Sequence, residues 1–186
     1  MATDRAQRMT LPLGQARPPA RREMLALIGL AASTMLGGCL FEDTAAEAAR
    51  AFDEGDYAKA RRLWKALSAK GDSTAPYNLG RMYALGRGAR PNEAIAAQWL
   101  EVAALRGNAL AQSDLSVIYA YGRGVSPDLV RAYAWATLAG NGFPDWSKDL
   151  RDIARRNRDA VARRMTAAEL NAAQALIESI REDMRR

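Results

Sequence analysis

The chain contains few side chains that could perform covalent chemistry. Its 186 residues include no histidine and a single cysteine, Cys39. A Cys–His nucleophile pair, a Ser–His–Asp triad and a His/Cys metal site are therefore excluded. Glu93 and Glu101 fall on one predicted helix, but helical spacing alone does not make two carboxylates a general acid and a general base, and both are expected at the surface. We expect no enzymatic activity, catalytic residue, metal ion, cofactor or small-molecule substrate.

Cys39 ends a segment that has the order of an export signal. Arg21-Arg22 precede residues 24–35, which are uncharged and mostly apolar, and small residues follow. Basic residues, then an apolar stretch, then small residues are typical of a secretory signal. Leu36-Gly37-Gly38-Cys39 resembles the lipobox of bacterial lipoprotein signals. This resemblance implies that residues 1–38 are removed and that the sulfur of Cys39 carries a diacylglycerol.

The same resemblance predicts where the protein works. A chain lipidated at Cys39 would be exported and held at a bacterial membrane, facing the periplasm, with residues 39–47 as a tether. Leu40 stands where an Asp often signals inner-membrane retention, so the outer membrane is favoured. Three alternatives compete: an ordinary buried thiol, a soluble core helix, and an uncleaved anchor, because 18 uncharged residues separate Glu23 from Glu42.

The Arg21-Arg22 pair leaves the export route open. Apolar residues follow two and three positions after the pair, as in twin-arginine signals. The flanking Ser/Thr and the trailing Lys of the fuller pattern are absent. An ordinary basic region of a general secretion signal is therefore favoured.

The body of the chain repeats. When residues 75–103 are shifted by 36 positions onto 111–139, 11 of the 29 positions are identical, including Gly86-Arg87-Gly88 and Gly122-Arg123-Gly124. Trp99 and Trp135 also coincide, and we expect these two side chains to fill space between neighbouring units. A fixed period in this range indicates a solenoid of stacked units.

Each unit predicts a pair of helices. Ala75, Leu79 and Tyr83 are spaced to form one face of the first helix. Gly86 then ends that helix, because glycine takes the left-handed C-terminal position without strain. Pro91 is expected in the first turn of the second helix, where its missing N–H costs nothing. Residues 96, 100 and 103 form the apolar face of that second helix.

These glycines, alanines and tryptophans resemble the Sel1-like repeat, a relative of the tetratricopeptide repeat. The resemblance implies an all-α fold, a short right-handed α-solenoid over residues 48–140 with a weaker first unit at 48–67. Residues 141–186 are predicted to form a C-terminal helical cap. Thr166 to Glu169 is a capping-box pattern, and it opens a helix with an apolar stripe. The stripe consists of Leu170, Ala173, Ile177, Ile180 and Met184. This helix is predicted to cover the last repeat; the alternative is a free helix that awaits a partner.

The tetratricopeptide resemblance also implies a concave groove, lined by the first helix of each unit, in which a protein partner would bind. Tyrosine and arginine are good interface anchors. The positions carried over to this chain are Tyr77, Arg81, Leu85, Ser113, Val117 and Tyr121.

Positive charge is concentrated in two places. Residues 1–38 and residues 39–186 each carry a net charge of +3, so the high pI is weak evidence for nucleic-acid binding, and none is expected. Residues 151–164 hold six arginines against two aspartates. They predict either a solvated helix face or a basic patch for lipid headgroups, cell-wall acids or an acidic partner. The candidate patch consists of Arg151, Arg155, Arg156, Arg158, Arg163 and Arg164.

Together these features predict an envelope lipoprotein that acts as a protein–protein scaffold or regulator. A structural subunit of an export or polysaccharide-assembly complex is the main alternative. An enzyme that acts on the cell wall is a weaker alternative, because the chain lacks histidine.

Overall fold

A computed structural model describes residues 44–186, and this part of the chain forms eight α-helices. The predicted signal peptide and Cys39 lie outside the described residues. The helices are α1 over residues 44–53, α2 Tyr57–Ala69, α3 Thr74–Leu85, α4 Glu93–Leu105, α5 Ala109–Tyr121, α6 Leu129–Gly142, α7 Lys148–Ala162 and α8 Ala167–Arg185. None of these eight combines the length and the hydropathy needed to cross a membrane.

The helix ends follow local sequence rules. Gly86 and Gly122 both end a helix in the left-handed conformation, with φ of 67° and 71°, as predicted. The expectation for Pro91 was wrong: α4 starts at Glu93, and Pro91 precedes the N-cap residue Asn92. Asn92 takes the capping position because its side chain accepts a hydrogen bond from the amide of Ile95 at 2.9 Å.

From α2 to α7, consecutive helices pack against each other, and small residues allow the close contacts. A Cβ atom on Gly80 would lie 2.8 Å from Cγ of Leu100, so α3 and α4 can approach only because position 80 has no side chain. A Cβ on Gly88 would lie 2.5 Å from Cβ of Tyr57, the first residue of α2 in the preceding unit. Glycine is therefore needed both within a unit and between units.

Two main hydrophobic clusters form the core. The N-terminal cluster joins α1, α2 and α3 around Trp64 and Leu79, with Trp99 of α4 packed against it. The larger cluster joins α4, α5, α6, α7 and α8 around Leu115 and Trp135. Trp135 is 5% exposed. Both repeat tryptophans therefore fill space between units, which confirms the prediction.

Polar contacts between turns reinforce the stacking. The guanidinium of Arg106, after α4, donates to the backbone oxygens of Ser68 and Asp72, each at 2.9 Å. The side-chain amide of Asn108 donates to the backbone oxygen of Ser73 at 3.3 Å. The turn after α4 therefore bonds to the turn after α2.

The C-terminal helices complete the stack in different ways. The capping box of Thr166 and Glu169 is present, as predicted. Helix α7 packs beside α5 and α6, whereas α8 lies across α6 and also reaches α4. Ile177 and Ile180 of α8 are buried in the larger cluster. Helix α8 is thus packed onto the repeats rather than free.

Candidate partner-binding groove

Three clefts lie along the odd-numbered helices and form one continuous groove. The first cleft, about 300 Å³, lies between α1, α2 and α3; the middle cleft, about 280 Å³, between α3, α4 and α5; the last cleft, about 90 Å³, between α5 and α7. Arg81 lines the first and the middle clefts, and Val117 lines the middle and the last. The groove, as used below, is the surface of these three clefts.

Three of the six predicted groove residues line these clefts, and a fourth, Tyr77, contacts the cleft residue Arg81. Arg81, Val117 and Tyr121 are cleft residues. Tyr77 is partly buried, and the guanidinium carbon of Arg81 stands 5.8 Å from the centre of its ring. At this distance the cation is attracted by the face of the ring. One turn of α3 thus presents a paired Tyr and Arg.

Leu85 and Ser113 do not line any of the three clefts. Leu85 is the last residue of α3 and is 57% exposed. Ser113 is partly buried, and its backbone oxygen accepts a hydrogen bond from Ser116 at 2.7 Å. Leu85 therefore offers a control position that is exposed but outside the groove.

Several groove residues were not predicted, and Asp114 is the most informative of them. It follows the predicted Ser113 by one position and lines the middle cleft with Arg81 and Arg123. Asp114 remains exposed to solvent, but partial desolvation beside the cleft walls raises the pKa of its carboxyl, and the charge of Arg81 partly opposes this increase. Burial also raises the pKa of Tyr77, to which the negative charge of Asp114 adds. Tyr77, Arg81 and Asp114 are therefore electrostatically coupled.

We expect Asp114→Asn to increase the free energy of unfolding at neutral pH. Because the pKa of Asp114 is higher in the folded chain, the folded state binds its proton more tightly than the unfolded state. Stability is therefore lost as the pH rises from the unfolded-state pKa, about 4, through the raised folded-state pKa. Asparagine stays neutral and avoids this loss. Urea titrations at neutral pH and in acid below about pH 3.5 should show the gain only at neutral pH; an equal gain at both would exclude charge as its cause.

The six predicted patch arginines have different environments. Three form ion pairs: Arg151 with Asp145 at 2.7 Å, Arg155 with Asp152 at 3.8 Å, and Arg158 with Asp159 at 2.7 Å. The described residues thus offer these three a carboxylate partner, which reduces the charge available to a ligand.

The other three patch arginines form no ion pair within residues 44–186. Arg164 donates to the backbone oxygen of Ala120 at 3.3 Å and lines the last cleft. Arg156 and Arg163 are exposed. The patch and the groove were predicted as separate features, yet Arg164 of α7 belongs to both.

Helix α7 also lines the groove, although its sequence lacks the pattern of the repeats. Asn157, Ala160 and Arg164 line the last cleft opposite Val117 and Tyr121 of α5. Helix α7 lacks the Gly-x-Gly of the earlier units, and its charge suggested a surface helix. The available signal was the helical spacing of Ala154 and Val161, its two buried side chains.

Glu93 and Glu101 do not form a carboxylate pair. Glu93 is exposed and lines the middle cleft, whereas Glu101 lines a separate cleft between α4, α6 and α8. The expectation that Glu101 is a plain surface residue was wrong: it is partly buried and accepts a hydrogen bond from the hydroxyl of Tyr119. Tyr119 also accepts from Arg131 at 2.9 Å. Glu101 thus ties α4, α5 and α6 together.

Comparison with known proteins agrees with this geometry. Residues 73–108 and 109–142 match the Sel1 repeat family model. The crystal structure of c5321, a protective antigen of uropathogenic Escherichia coli strains with an SLR fold, is similar with a TM-score of 0.66 and 29% identity. The match covers 89% of this chain and 34% of c5321.

A second solved structure, a Sel1 repeat protein from Oxalobacter formigenes, matches with 30% identity and a TM-score of 0.49. That match covers 52% of this chain and 40% of the other. The chain thus spans well under half of either protein. Among curated proteins, none matches it. Residues 73–142 therefore consist of two Sel1 repeats, within an all-helical fold similar to that of c5321.

Proposed function

We propose that this protein is a scaffold or regulator whose groove binds a segment of a partner protein. The observation that carries this proposal is the continuity of the three clefts through Arg81 and Val117. A continuous groove suits an extended or helical segment, because side chains along one face of the segment can enter successive clefts.

The residues in the groove suit such a partner. Its floor is apolar at Val117 and Ile118, and its rim carries the charged Arg81, Asp114 and Arg123. An apolar floor with a polar rim is the usual composition of a protein interface. Tyr121, which is 71% exposed, and Arg81 belong to the residue types that dominate binding energy.

We expect the double variant Arg81→Ala and Tyr121→Ala to lose most of its partner capture while it stays folded. Both side chains are exposed, and the main contact that Arg81 loses is with the ring of Tyr77, so each removal should change the free energy of unfolding by no more than about 1 kcal/mol. The measurement is crosslinking in cells followed by mass spectrometry, with circular dichroism as the test of folding.

Leu85→Ala is the matched control, because Leu85 is exposed on the same helix as Arg81 but lies outside the clefts. It should leave the crosslinked partners unchanged. Unchanged capture by the double variant would reject the groove as the binding surface.

We further propose that a lipid on Cys39 holds the groove at a bacterial membrane, facing the periplasm, with the outer membrane favoured. The support is the sequence of residues 21–39. A single acyl chain gives only marginal membrane binding, at about 0.8 kcal/mol per buried CH₂, so the several chains of a lipoprotein anchor much more firmly.

Intact mass of the membrane-extracted protein tests the anchor. We expect a chain that begins at a diacylated Cys39, and we expect Cys39→Ser to leave the membrane fraction. An unmodified mass that begins at Met1 would reject the lipoprotein assignment and leave the groove proposal intact.

A further inference from the structure

Helix α7 uses only part of its apolar surface to pack against the repeats. Its fully buried side chains are Ala154 and Val161. Leu150 and Ile153 are 39% and 41% exposed, and Trp146, just before the helix, is 86% exposed. A tryptophan that is almost entirely in water, beside two exposed aliphatic side chains, is an unusual surface for a protein without a partner.

These apolar residues lie on the groove side of α7. Leu150 and Ile153 are followed at helical spacing by Asn157, Ala160 and Arg164, which line the last cleft. Residues three and four apart share one face of a helix. Leu150 and Ile153 therefore continue the face of α7 that lines the last cleft, and Trp146 lies in the turn two residues before α7 begins. These three residues are called the apolar row below.

The charge around this row is positive. Arg156 and Arg163, spaced by seven residues, follow the face beside the row, and neither forms an ion pair within residues 44–186. Arg164 lies within the last cleft, which no carboxylate lines. Of the nearby acidic residues, three are paired with other arginines: Asp145 with Arg151, Asp152 with Arg155 and Asp159 with Arg158. The fourth, Asp149, is exposed in the first turn of α7.

The rest of the groove is electrically mixed. The middle cleft contains Glu93 and Asp114 together with Arg81 and Arg123. The first cleft contains Asp53 together with Arg81. The groove therefore has a direction: its α7 end combines apolar surface with unpaired arginines, whereas its α1 end is balanced.

We propose that the α7 end of the groove binds a partner segment that carries acidic side chains together with large apolar ones. The apolar row would bury the apolar side chains, and Arg156, Arg163 and Arg164 would pair with the carboxylates. This inference rests on the proposed groove function and adds the chemistry and the orientation of the partner. A protein segment fits better than a bilayer, because the apolar row continues into a cleft that a flat membrane cannot enter.

Trp146 provides the test. Trp64 and Trp135 are each 5% exposed and Trp99 is partly buried, so a blue shift of tryptophan emission on binding reports chiefly Trp146. The full chain in detergent is titrated with a synthetic peptide that alternates glutamate with leucine and phenylalanine. The comparison peptide has lysine in place of each glutamate. We expect the glutamate peptide to bind at least about tenfold more tightly at low salt, and the preference to shrink as salt is added.

Three variants locate the binding. Trp146→Phe should abolish the emission shift without abolishing binding measured by peptide anisotropy. Arg156→Glu with Arg163→Glu should lower the affinity for the glutamate peptide by about tenfold or more. The matched control is Arg62→Glu with Arg185→Glu, which changes the net charge equally on exposed positions of α2 and α8 and should leave affinity unchanged.

Equal affinity for the two peptides, or equal effects of the two charge reversals, would overturn the inference. So would an emission shift with vesicles of phosphatidylglycerol and phosphatidylcholine but not with either peptide, since that outcome would assign the row to a membrane. After any of these three outcomes, crosslinking that still depends on Arg81 and Tyr121 would leave the proposed groove function standing.

Discussion

Gly124→Ala should destabilise the protein by about 3–5 kcal/mol, among the largest losses expected from a single methyl group. Gly124 has φ of 70°, which disfavours any side chain. A Cβ there would lie 2.5 Å from the backbone nitrogen of Ala94 and closer still to the carbonyl carbon of Glu93. Because these are backbone atoms at the start of α4, the repeat at 109–142 would have to move away from the repeat at 73–108. Urea unfolding followed by circular dichroism measures the loss.

Gly71→Ala separates the two causes. Gly71 has φ of 95°, yet a Cβ there would meet nothing within 4 Å. Its replacement should therefore cost only the backbone strain, about 1–2 kcal/mol. Equal losses in the two variants would show that the contact between Gly124 and α4 relaxes freely.

Ile177→Ala should destabilise the protein by about 2–4 kcal/mol. Ile177 is 1% exposed and belongs to the cluster that contains Trp135 and Leu138, so its truncation leaves a cavity between α8 and the last repeat. Thermal and urea unfolding should show a single transition at lower stability, because α8 is part of the same core.

Met184→Ala is the control on the same helix. Met184 lies on the same predicted apolar stripe but is 37% exposed, and its truncation should cost less than about 1 kcal/mol. If Ile177→Ala cost as little as Met184→Ala, α8 would be a loosely attached helix, as in the alternative interpretation of the sequence.

The repeats could be predicted because their residues carry local physical meaning. Gly86 and Gly122 need the left-handed conformation, and Trp99 and Trp135 recur in register, so a period of 36 residues predicts helix pairs and their stacking. Position along a repeat does not determine which side chains face a cleft. For this reason the predicted Arg81 and Val117 line a cleft, the predicted Leu85 does not, and Asp114 lines the middle cleft although it was not predicted.

The C-terminal part shows why the remainder was out of reach. The place of α7 depends on contacts with α5 and α6 that involve small residues such as Ala139 and Ala154, which carry little pattern. Its arginines suggested a helix on the surface of the protein. Three of these arginines form ion pairs with neighbouring aspartates. The junction of the patch with the groove is a property of tertiary packing, and helical periodicity alone does not contain it.

The turn that bonds Arg106 and Asn108 to the preceding turn has a consequence for growth of the array. The turn after α4 bonds to the turn after α2 through side chains that lie within residues 73–108. A further copy of residues 73–108 inserted after Asn108 would carry its own copies of this arginine and asparagine. Their side chains would find backbone oxygens in the turn before the inserted copy, and the copy would present equivalent backbone oxygens to the unit after it. Helix α8 would still cover the final unit. The protein can in principle be lengthened from within, one helix pair at a time, without a new end.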